Sequence, residues 1–401
     1  MIRDPRDMKL LPSKQSPDQI STPNLQHLLV VQLDDPSAIV MLSPALRTLR
    51  EALPSAELTL MTSASGGEMA PLLPWVDNVL IDQAVGRDGA GNRGINAREE
   101  IAFVECLRQH NFSMALIFSS ASQSPLRAAY ACYMAGIPYR VGFAQGMSGS
   151  LLSHFLAPPA DDLHQVDRNL GLLGAIGIFG VDGRTDLSIP QNVEDRASEL
   201  LSAIGVKPDI PYIVFAPHSE GLLNQYSPTH FAAVAHILAA QTEQQLVIVA
   251  SSAEAKSIQP VLNVVNENLY GNMYSLVEKT TLPELAAIIR HASLTICANS
   301  VSMHFADVCG CPMVILHSET DTVNQWRPRN ASVRLLSRPA ICARWNEPDC
   351  PNGINCLDVR PEEVAIAALE MLSEQTYRQA NDKGILEYKI EAETNEPSSA
   401  L

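Results

Sequence analysis

The sequence predicts an α/β protein whose parallel sheets are doubly wound and arranged in two halves. Short apolar segments alternate with helical patterns along most of the chain, the order that parallel strands and crossover helices produce. The segments are unbroken apolar runs, as expected for strands that helices bury on both faces. With 401 residues, of which 46% are hydrophobic and 5% aromatic, the chain is long enough for two domains with aliphatic cores.

The first half is predicted to span residues 27–192, after a flexible polar tail at residues 1–26. Its first strand is the apolar run at 27–33. Ser43 and Pro44 are predicted as the N-cap and the first residue of the next helix, because serine caps through its side-chain oxygen and proline needs no donor there. Further strands are predicted at 57–61, 79–81, 114–118 and 139–142, and helices at 99–109 and 126–134.

The second half is predicted to span residues 207–372, with a polar tail at residues 373–401. Ser227 and Pro228 again indicate a helix start. Thr281 and Glu284 have the spacing of a capping box, in which each side chain satisfies an N–H group at the start of a helix. The remaining elements are strands at 212–215 and 246–250 and a last helix at 361–372.

Residues 294–316, which read LTICANSVSMHFADVCGCPMVIL, predict a strand, a polar turn, one compact helix and a second strand. Asn299 or Ser300 is expected to cap the helix. Such a unit directs a helix N-terminus, with its free N–H groups and positive dipole end, at the carboxyl edge of a parallel sheet, where phosphate groups bind. Met303 and His304 lie on the first turn of this helix, so the corner is predicted to bind a ligand.

The net charge of −16 limits the classes of partner. It argues against a nucleic-acid-binding protein, which needs a basic face for phosphate contacts. It also disfavours strong attraction of the whole protein to anionic membranes, although a local basic patch and peripheral contact with the inner membrane remain compatible with it. No apolar run is long enough to span a bilayer and the N-terminus has no apolar signal core, so a cytoplasmic location is expected.

The eight cysteines divide into two groups. Five lie in apolar segments and are interpreted as reduced core residues. The other three, Cys342, Cys350 and Cys356, lie in a late loop that is either packed or weakly stapled, or a zinc site. Three ligands fall short of the four that a structural zinc site uses, so no metal is expected.

Five segments in a fixed order carry a family resemblance, at residues 28–63, 135–143, 276–294 and 294–316 and in the cysteine loop that ends in RPEEVAIAALEML. Together, from about residue 28 to 372, they resemble glycosyltransferase family 9, the bacterial heptosyltransferase-like enzymes with the GT-B fold. The resemblance implies two Rossmann-like domains that face a central cleft. The C-terminal domain would hold a nucleotide-diphosphate sugar and the N-terminal domain the acceptor.

The resemblance also implies an inverting, metal-independent transfer without a cofactor. A carboxylate removes the proton of the acceptor hydroxyl, whose oxygen attacks the anomeric carbon. The diphosphate leaves into a site of N–H groups and a basic side chain, where the developing charge is stabilised.

The chain departs from the family pattern at three places. Ser37 and Ala38 stand where the family carries a Gly-Asp pair, whose Asp is the base. The stretch at 224–227 lacks the basic residue that commonly precedes Trp-Pro. In the Asp-Ser/Thr-Gly motif, Asn299 and Val301 replace the acid and the glycine. The family residues that survive are Glu254, Ser300, Met303, His304 and the pair Thr320–Asp321.

Two aspartates offer a substitute base. Asp34 and Asp35 lie in the loop that should carry the base, a few residues early, and they are either the catalytic carboxylates or part of a solvated turn. His304 either binds the diphosphate or the sugar, or is a structural helix residue.

The predicted donor-binding residues extend over the second half. Glu254 is interpreted as a contact to the nucleotide ribose, or else as a helix-start acid. His218 and Ser219 follow a strand end where backbone N–H groups could meet phosphate. Asn299, Ser300 and Met303 complete the predicted donor site.

Two functions follow as hypotheses. The first is a glycosyltransferase that moves a heptose-like sugar from a nucleotide-diphosphate donor to a lipopolysaccharide or another lipid-linked or polysaccharide precursor. The second is a catalytically degenerate GT-B protein that binds a nucleotide sugar or a partner without transfer.

Overall fold

Two parallel sheets form the centres of two α/β halves. The computed structural model describes residues 10–11, 25–82, 96–180, 182–218, 226–318, 323–338 and 357–382. Helices cover both faces of each sheet, so the strand residues are almost all buried, as the unbroken apolar runs predict.

The first sheet has the strand order β1-β7-β6-β5-β2-β3-β4. All neighbouring strands are parallel except β1, which pairs antiparallel with β7 and lies in the stretch predicted as a flexible tail. The strands are β1 (Leu10–Leu11), β2 (His27–Gln32), β3 (Glu57–Thr62), β4 (Asn78–Ile81), β5 (Met114–Ile117), β6 (Tyr139–Phe143) and β7 (His154–Leu156).

Six helices follow the strands of the first sheet or lead to the second sheet, and a seventh lies within the second half. They are α1 (Pro36–Ala52), α2 (Ala64–Gly67), α3 (Ala97–Gln109), α4 (Leu126–Met134), α5 (Gln165–Gly174), α6 (Gln191–Ala203) and α7 (Pro228–Gln241). Ser227 occupies the N-cap position of α7 and Pro228 is its first residue, as predicted, but the Ser227 hydroxyl bonds Thr229 and not a backbone N–H group. The helix α6 packs against a helix of the second half, so it belongs to that half by contact.

The predicted start of the first helix at Ser43 and Pro44 is wrong. The helix begins eight residues earlier, at Pro36, because Asp35 and Pro36 supply the same cap and proline signal there. Pro44 therefore lies inside α1, where it cannot donate to the carbonyl of Val40. The hydroxyl of Ser43 donates to that carbonyl at 2.7 Å instead, and this bond makes the interior proline tolerable.

The second sheet is entirely parallel and has the order β10-β9-β8-β11-β12-β13. Its strands are β8 (Tyr212–Ala216), β9 (Gln245–Ile248), β10 (Met273–Ser275), β11 (Leu294–Ala298), β12 (Met313–Leu316) and β13 (Val333–Leu336). Its further helices are α8 (Gln259–Glu267), α9 (Leu282–Arg290), α10 (Val301–Cys309), α11 (Val323–Trp326) and α12 (Pro361–Asp382). The capping box of Thr281 and Glu284 at α9 is confirmed, and the last helix continues ten residues beyond the predicted 372.

The two halves contact each other through α1, α5 and α10 and the segment before β13. Asp307 on α10 is buried, and its Oδ1 accepts the backbone N–H groups of Arg329, Asn330 and Ala331 at 2.9, 2.7 and 3.0 Å. The guanidinium of Arg329 forms a two-pronged pair with Asp167 on α5, with N–O distances of 2.9 and 2.5 Å. The second half is thus joined to the first beside the crevice of the first sheet.

Within the described ranges, no helix is both long enough and apolar enough to cross a bilayer.

Candidate functional site

The predicted site residues lie where the order of strands reverses. In the first sheet this point is between β2 and β5, and in the second it is between β8 and β11. Loops leave the strands in opposite directions there, so a crevice opens at the carboxyl edge of the sheet. Asp34 follows β2 and therefore lies at the crevice of the first sheet. Ser300 follows β11 and lies at the crevice of the second.

A pocket of about 520 Å³ lies at the crevice of the second sheet. This volume includes the part of the crevice that is open to solvent. Three predicted donor-binding residues, His218, Glu254 and Ser300, line it. The other lining residues are Ala216, Val249, Ala250, Ser251, Thr280, Thr281, Leu282, Leu285, Val301 and Ser302.

His218 and Glu254 form a polar pair on one wall of the pocket. Oε2 of Glu254 accepts the backbone N–H of Ser251 at 2.6 Å, and its Oε1 lies 3.6 Å from Nε2 of His218. Burial lowers the pKa of His218, and the charge of Glu254 opposes that shift. At neutral pH, His218 is therefore a neutral imidazole that can donate or accept a hydrogen bond.

The N-terminus of α10 forms another wall. Ser300 is the N-cap, and its buried Oγ has no hydrogen-bond partner among the described residues. Val301 and Ser302 are the first two residues of the helix and line the pocket. The N–H groups of a first helical turn have no partner within the helix, so this wall presents donors to an anionic ligand.

Met303 and His304 do not line the pocket. Both are 1% exposed, and Met303 packs into the core on the side of the first half. The ring of His304 lies 6.0 Å from that of Trp326, and burial together with the nearby His164 lowers the pKa of His304 to about 3. His304 is therefore neutral at pH 7 and faces the interior.

Asp34 is the buried carboxylate at the crevice of the first sheet. The residue is 7% exposed, and its Oδ2 accepts the backbone N–H of Ser120 at 3.0 Å. Loss of hydration raises the pKa of Asp34 to about 7; the bond from Ser120 and the charge of Arg168 oppose this shift, and the charge of Asp35 adds to it. The alternative of a solvated turn does not describe this residue.

Asp35, in contrast to Asp34, caps a helix. Its Oδ1 accepts the backbone N–H groups of Ser37 and Ala38 at 2.6 and 3.3 Å, which makes it the N-cap of α1. A carboxylate in this position also interacts favourably with the helix dipole.

The surroundings of Asp34 are polar and incompletely paired. Arg168 is buried on α5; its Nε donates to the carbonyl of Ser119 at 3.0 Å, and burial lowers its pKa to about 10. Three buried side-chain atoms at this edge, Nε2 of Gln32, Oγ1 of Thr62 and Oγ of Ser119, have no partner among the described residues. Unpaired buried polar atoms at a crevice fit a polar ligand, since leaving them unpaired is costly.

One contact reaches from the first crevice to the second half. The side chain of Gln165 donates to the carbonyl of Ser119 at 3.4 Å, and its own oxygen accepts from Gln325 of the second half at 3.3 Å. Asn299 lies between β11 and the cap of α10, outside the lining of the pocket.

Several predicted positions lie outside the described residues: Ser219, residues 224 and 225, Thr320, Asp321 and the cysteines Cys342, Cys350 and Cys356. Within the described ranges, no three His, Cys, Asp or Glu side chains gather closely enough to hold a metal ion.

The sequence reasoning missed two groups of residues. Ser251, Thr280 and Ser302 line the pocket at the second crevice, and Ser120 and Arg168 contact or influence Asp34. Ser120 and Ser251 follow β5 and β9 closely, so the rule that ligands bind beyond the carboxyl ends of strands could have found them. Arg168 lies far from Asp34 in the chain and has no such signal.

Comparison with known proteins decides the family. The model of glycosyltransferase family 9 (heptosyltransferase) matches residues 101–353, more than half of the chain. The chain belongs to glycosyltransferase family 9. The prediction of a glycosyltransferase is thereby confirmed at the level of the enzyme class.

Relatives of family 9 are similar over most of the chain. Lipopolysaccharide heptosyltransferase 3 of Escherichia coli (strain K12) is 23% identical over 335 residues, which are 83% of this chain and 94% of that protein. The structure of E. coli ADP-heptose LPS heptosyltransferase II matches with a TM-score of 0.70 at 18% identity, over 88% of this chain and 100% of that one. E. coli heptosyltransferase WaaC with ADP-2-deoxy-2-fluoro heptose matches with a TM-score of 0.61 at 14% identity, over 86% and 98%. These structures confirm the GT-B fold.

Proposed function

We propose that this family 9 protein transfers a heptose-like sugar from a nucleoside-diphosphate donor to a lipopolysaccharide precursor or a related glycan precursor. The observation that carries the proposal is the pocket at the second crevice, where a helix N-terminus, the hydroxyl of Ser300, which has no partner among the described residues, and a carboxylate converge. Related proteins are named as lipopolysaccharide heptosyltransferases, and one of them is described with an ADP-heptose analogue. ADP-heptose is therefore the first donor to test.

The donor would lie with its diphosphate at the start of α10. The free N–H groups there and the hydroxyls of Ser300 and Ser302 would donate to the phosphate oxygens. Glu254 would accept from the ribose hydroxyls, with His218 beside it. No metal is required in this arrangement, because backbone and hydroxyl donors stabilise the charge that develops on the leaving diphosphate.

Asp34 would be the base. A pKa of about 7 is suited to a group that must take a proton at neutral pH, whereas Asp35 is engaged as a helix cap. The acceptor hydroxyl would lose its proton to Asp34 as its oxygen bonds to the anomeric carbon. The bond from that carbon to the diphosphate oxygen breaks on the opposite side, and the configuration inverts.

The acceptor would enter at the first crevice, where Gln32, Thr62 and Ser119 offer unpaired polar atoms. A lipopolysaccharide precursor is made on a lipid anchor, so we infer that the protein works in the cytoplasm at the inner membrane face.

A second function has its own support. Ala38 is fully buried at the position of the family base, and none of the described residues that line the donor pocket is Lys or Arg. These features favour a protein that binds a nucleotide sugar without transfer.

One pair of variants separates the two functions. We expect Asp34→Asn to lower the rate of heptose transfer about 10²- to 10⁴-fold, as loss of a general base does, while the thermal stabilisation by ADP-heptose stays unchanged. Asp35→Asn is the matched control, because Asn also caps helices, and its rate should stay within a few-fold of wild type. Stabilisation by ADP-heptose without turnover of any acceptor in wild type would establish the binding function instead.

A further inference from the structure

A group of large apolar side chains lies exposed on the outside of the first half. They come from α3, α4 and the 3-10 turn at Gly146–Ser150, which are neighbours in the fold. Met147 is 78% exposed, Ile101 70%, and the two tyrosines 51% each. The group, called the α4 patch below, consists of Ile101, Leu126, Tyr130, Tyr133, Met134 and Met147.

Four members of the α4 patch follow the helical repeat on the outer face of α4. Leu126, Tyr130, Tyr133 and Met134 are spaced by four, three and one residues, so they form one stripe. The inner face is also apolar but consists of small buried residues, namely Ala128, Ala129, Ala131 and Cys132. A surface helix normally turns a polar face outward, and contiguous exposed apolar patches mark interaction sites.

The charge around the α4 patch differs from that of the rest of the chain. The protein contains 44 acidic residues, yet none lies between residues 106 and 160, a stretch that includes α4 and three arginines. Two of the arginines, Arg108 and Arg127, are paired with Glu105 and Glu100 of α3. Neither α4 nor the 3-10 turn therefore adds an acidic side chain to the α4 patch, and two of the acidic residues of α3 are paired with arginine.

The third arginine is free of acidic partners within the described part of the chain. The guanidinium of Arg140 lies 5.4 Å from the centre of the Tyr133 ring and donates to the carbonyls of Leu151, Ile137 and Pro138, which hold the charge beside the ring. A cation beside an exposed tyrosine is the arrangement of a membrane interface, where the ring enters the headgroup region and the charge meets lipid phosphate.

The α4 patch adjoins the acceptor crevice. The loop that holds Ser120 against Asp34 leads directly into α4, and the side chain of Gln145, next to the 3-10 turn, donates to the carbonyl of Ala121 in that loop at 3.3 Å. A surface that rests on the α4 patch is therefore next to the first crevice.

We propose that the α4 patch docks the protein on an anionic lipid bilayer and so brings the first crevice to a lipid-borne acceptor. The inference rests on the proposed function for the identity of the acceptor, but the docking itself depends only on the patch. The apolar side chains enter the interfacial region, and binding strength follows the apolar area that they bury. Arg140 and the absence of acidic residues from α4 and the 3-10 turn adapt this one face of an acidic protein to anionic lipid.

The test compares vesicle binding by two matched double variants of the full chain. Tyr130→Ser with Met147→Ser changes the α4 patch. Phe179→Ser with Leu269→Ser changes side chains that are 64% and 67% exposed elsewhere. Sedimentation with vesicles of phosphatidylethanolamine and about 30 mol% phosphatidylglycerol should show a tenfold or larger loss of binding for the first variant and none for the second.

Other results overturn the docking proposal. One is equal binding of wild type and the α4 patch variant to these vesicles, or no binding by either. Another is a concentration-dependent dimer of wild type that the same variant abolishes in ultracentrifugation, because a second copy then covers the patch.

Failure of docking and failure of the proposed function have different signatures. The α4 patch variant should keep its thermal stabilisation by ADP-heptose and its turnover of a detergent-dispersed acceptor. Turnover without vesicle binding by wild type would contradict docking alone. Vesicle binding without turnover of any acceptor would contradict the transferase function alone.

Discussion

The raised pKa of Asp34 makes the stability of the protein depend on pH in a direction opposite to that of most carboxylates. The folded pKa, about 7, lies above the ordinary value of 3.8 because burial disfavours the charged form. A group with a raised folded pKa stabilises the fold fully below its unfolded pKa, and this contribution is lost as the pH rises through the folded pKa. The window for Asp34 is therefore about pH 4 to 7.

The size of the effect follows from the two pKa values. The difference between 3.8 and about 7 corresponds to a loss of about 4 kcal/mol of unfolding free energy across the whole window. Between pH 5 and pH 8 the loss is about 2–3 kcal/mol. Asp34→Asn removes the titration and keeps an oxygen that accepts from Ser120, so the variant should gain about this much relative to wild type over that range.

Urea unfolding of both proteins at pH 5 and pH 8 measures the difference. Asp35→Asn is the control: it retains a helix cap and should leave the pH dependence caused by Asp34 in place. A stability difference between wild type and Asp34→Asn that is the same at both pH values would refute the assignment of a buried, titrating carboxyl to Asp34.

Three further variants test other contacts. Ser300→Ala should weaken the binding of ADP about tenfold in calorimetry without loss of stability, because the hydroxyl has no partner in the described structure; unchanged affinity would contradict its role. Asp307→Ala should lower the free energy of unfolding, measured in urea, by about 3 kcal/mol, since three N–H groups lose their acceptor. An unsatisfied buried group costs about 1–3 kcal/mol, so a change below about 1 kcal/mol would contradict this role of Asp307. Ser43→Ala should lower the unfolding free energy by about 1–2 kcal/mol, because the carbonyl of Val40 loses its donor. Adding Pro44→Ala should restore most of this loss, because alanine brings a backbone N–H that proline lacks. If the double variant shows no recovery, another contact of Ser43 matters more.

The sequence predicted the strands well because both-face burial leaves a clear apolar signal. It missed β1, β7 and β10, which are only two or three residues long, and β13, half of whose residues are exposed at the edge of the second sheet. It also placed the start of α1 at Pro44, since a second cap and proline pair, Asp35 and Pro36, looked like part of the loop. Local signals identify possible helix starts, but only the tertiary context selects one of two.

The candidate site could be predicted only where it is local. Ser300 and the start of α10 follow from one short stretch of sequence, and they line the pocket. The same stretch contains His304, which is buried near Trp326 of the second half and His164 of the first, and that packing leaves no local pattern. The pKa of Asp34 depends likewise on burial and on Arg168, so the choice between Asp34 and Asp35 needed the structure.

The three hydrogen bonds to Asp307 connect α10 to the segment that contacts the first half. Its first turn borders the donor pocket, and Asp307 near its other end fixes the segment whose Arg329 clamps Asp167 of the first half. A donor that shifts α10 would also shift the pair of Arg329 and Asp167. By linkage, the factor by which the donor changes the equilibrium between two arrangements of the halves equals the factor by which those arrangements differ in donor affinity. The donor pocket and the contact between the two halves therefore share one helix, α10.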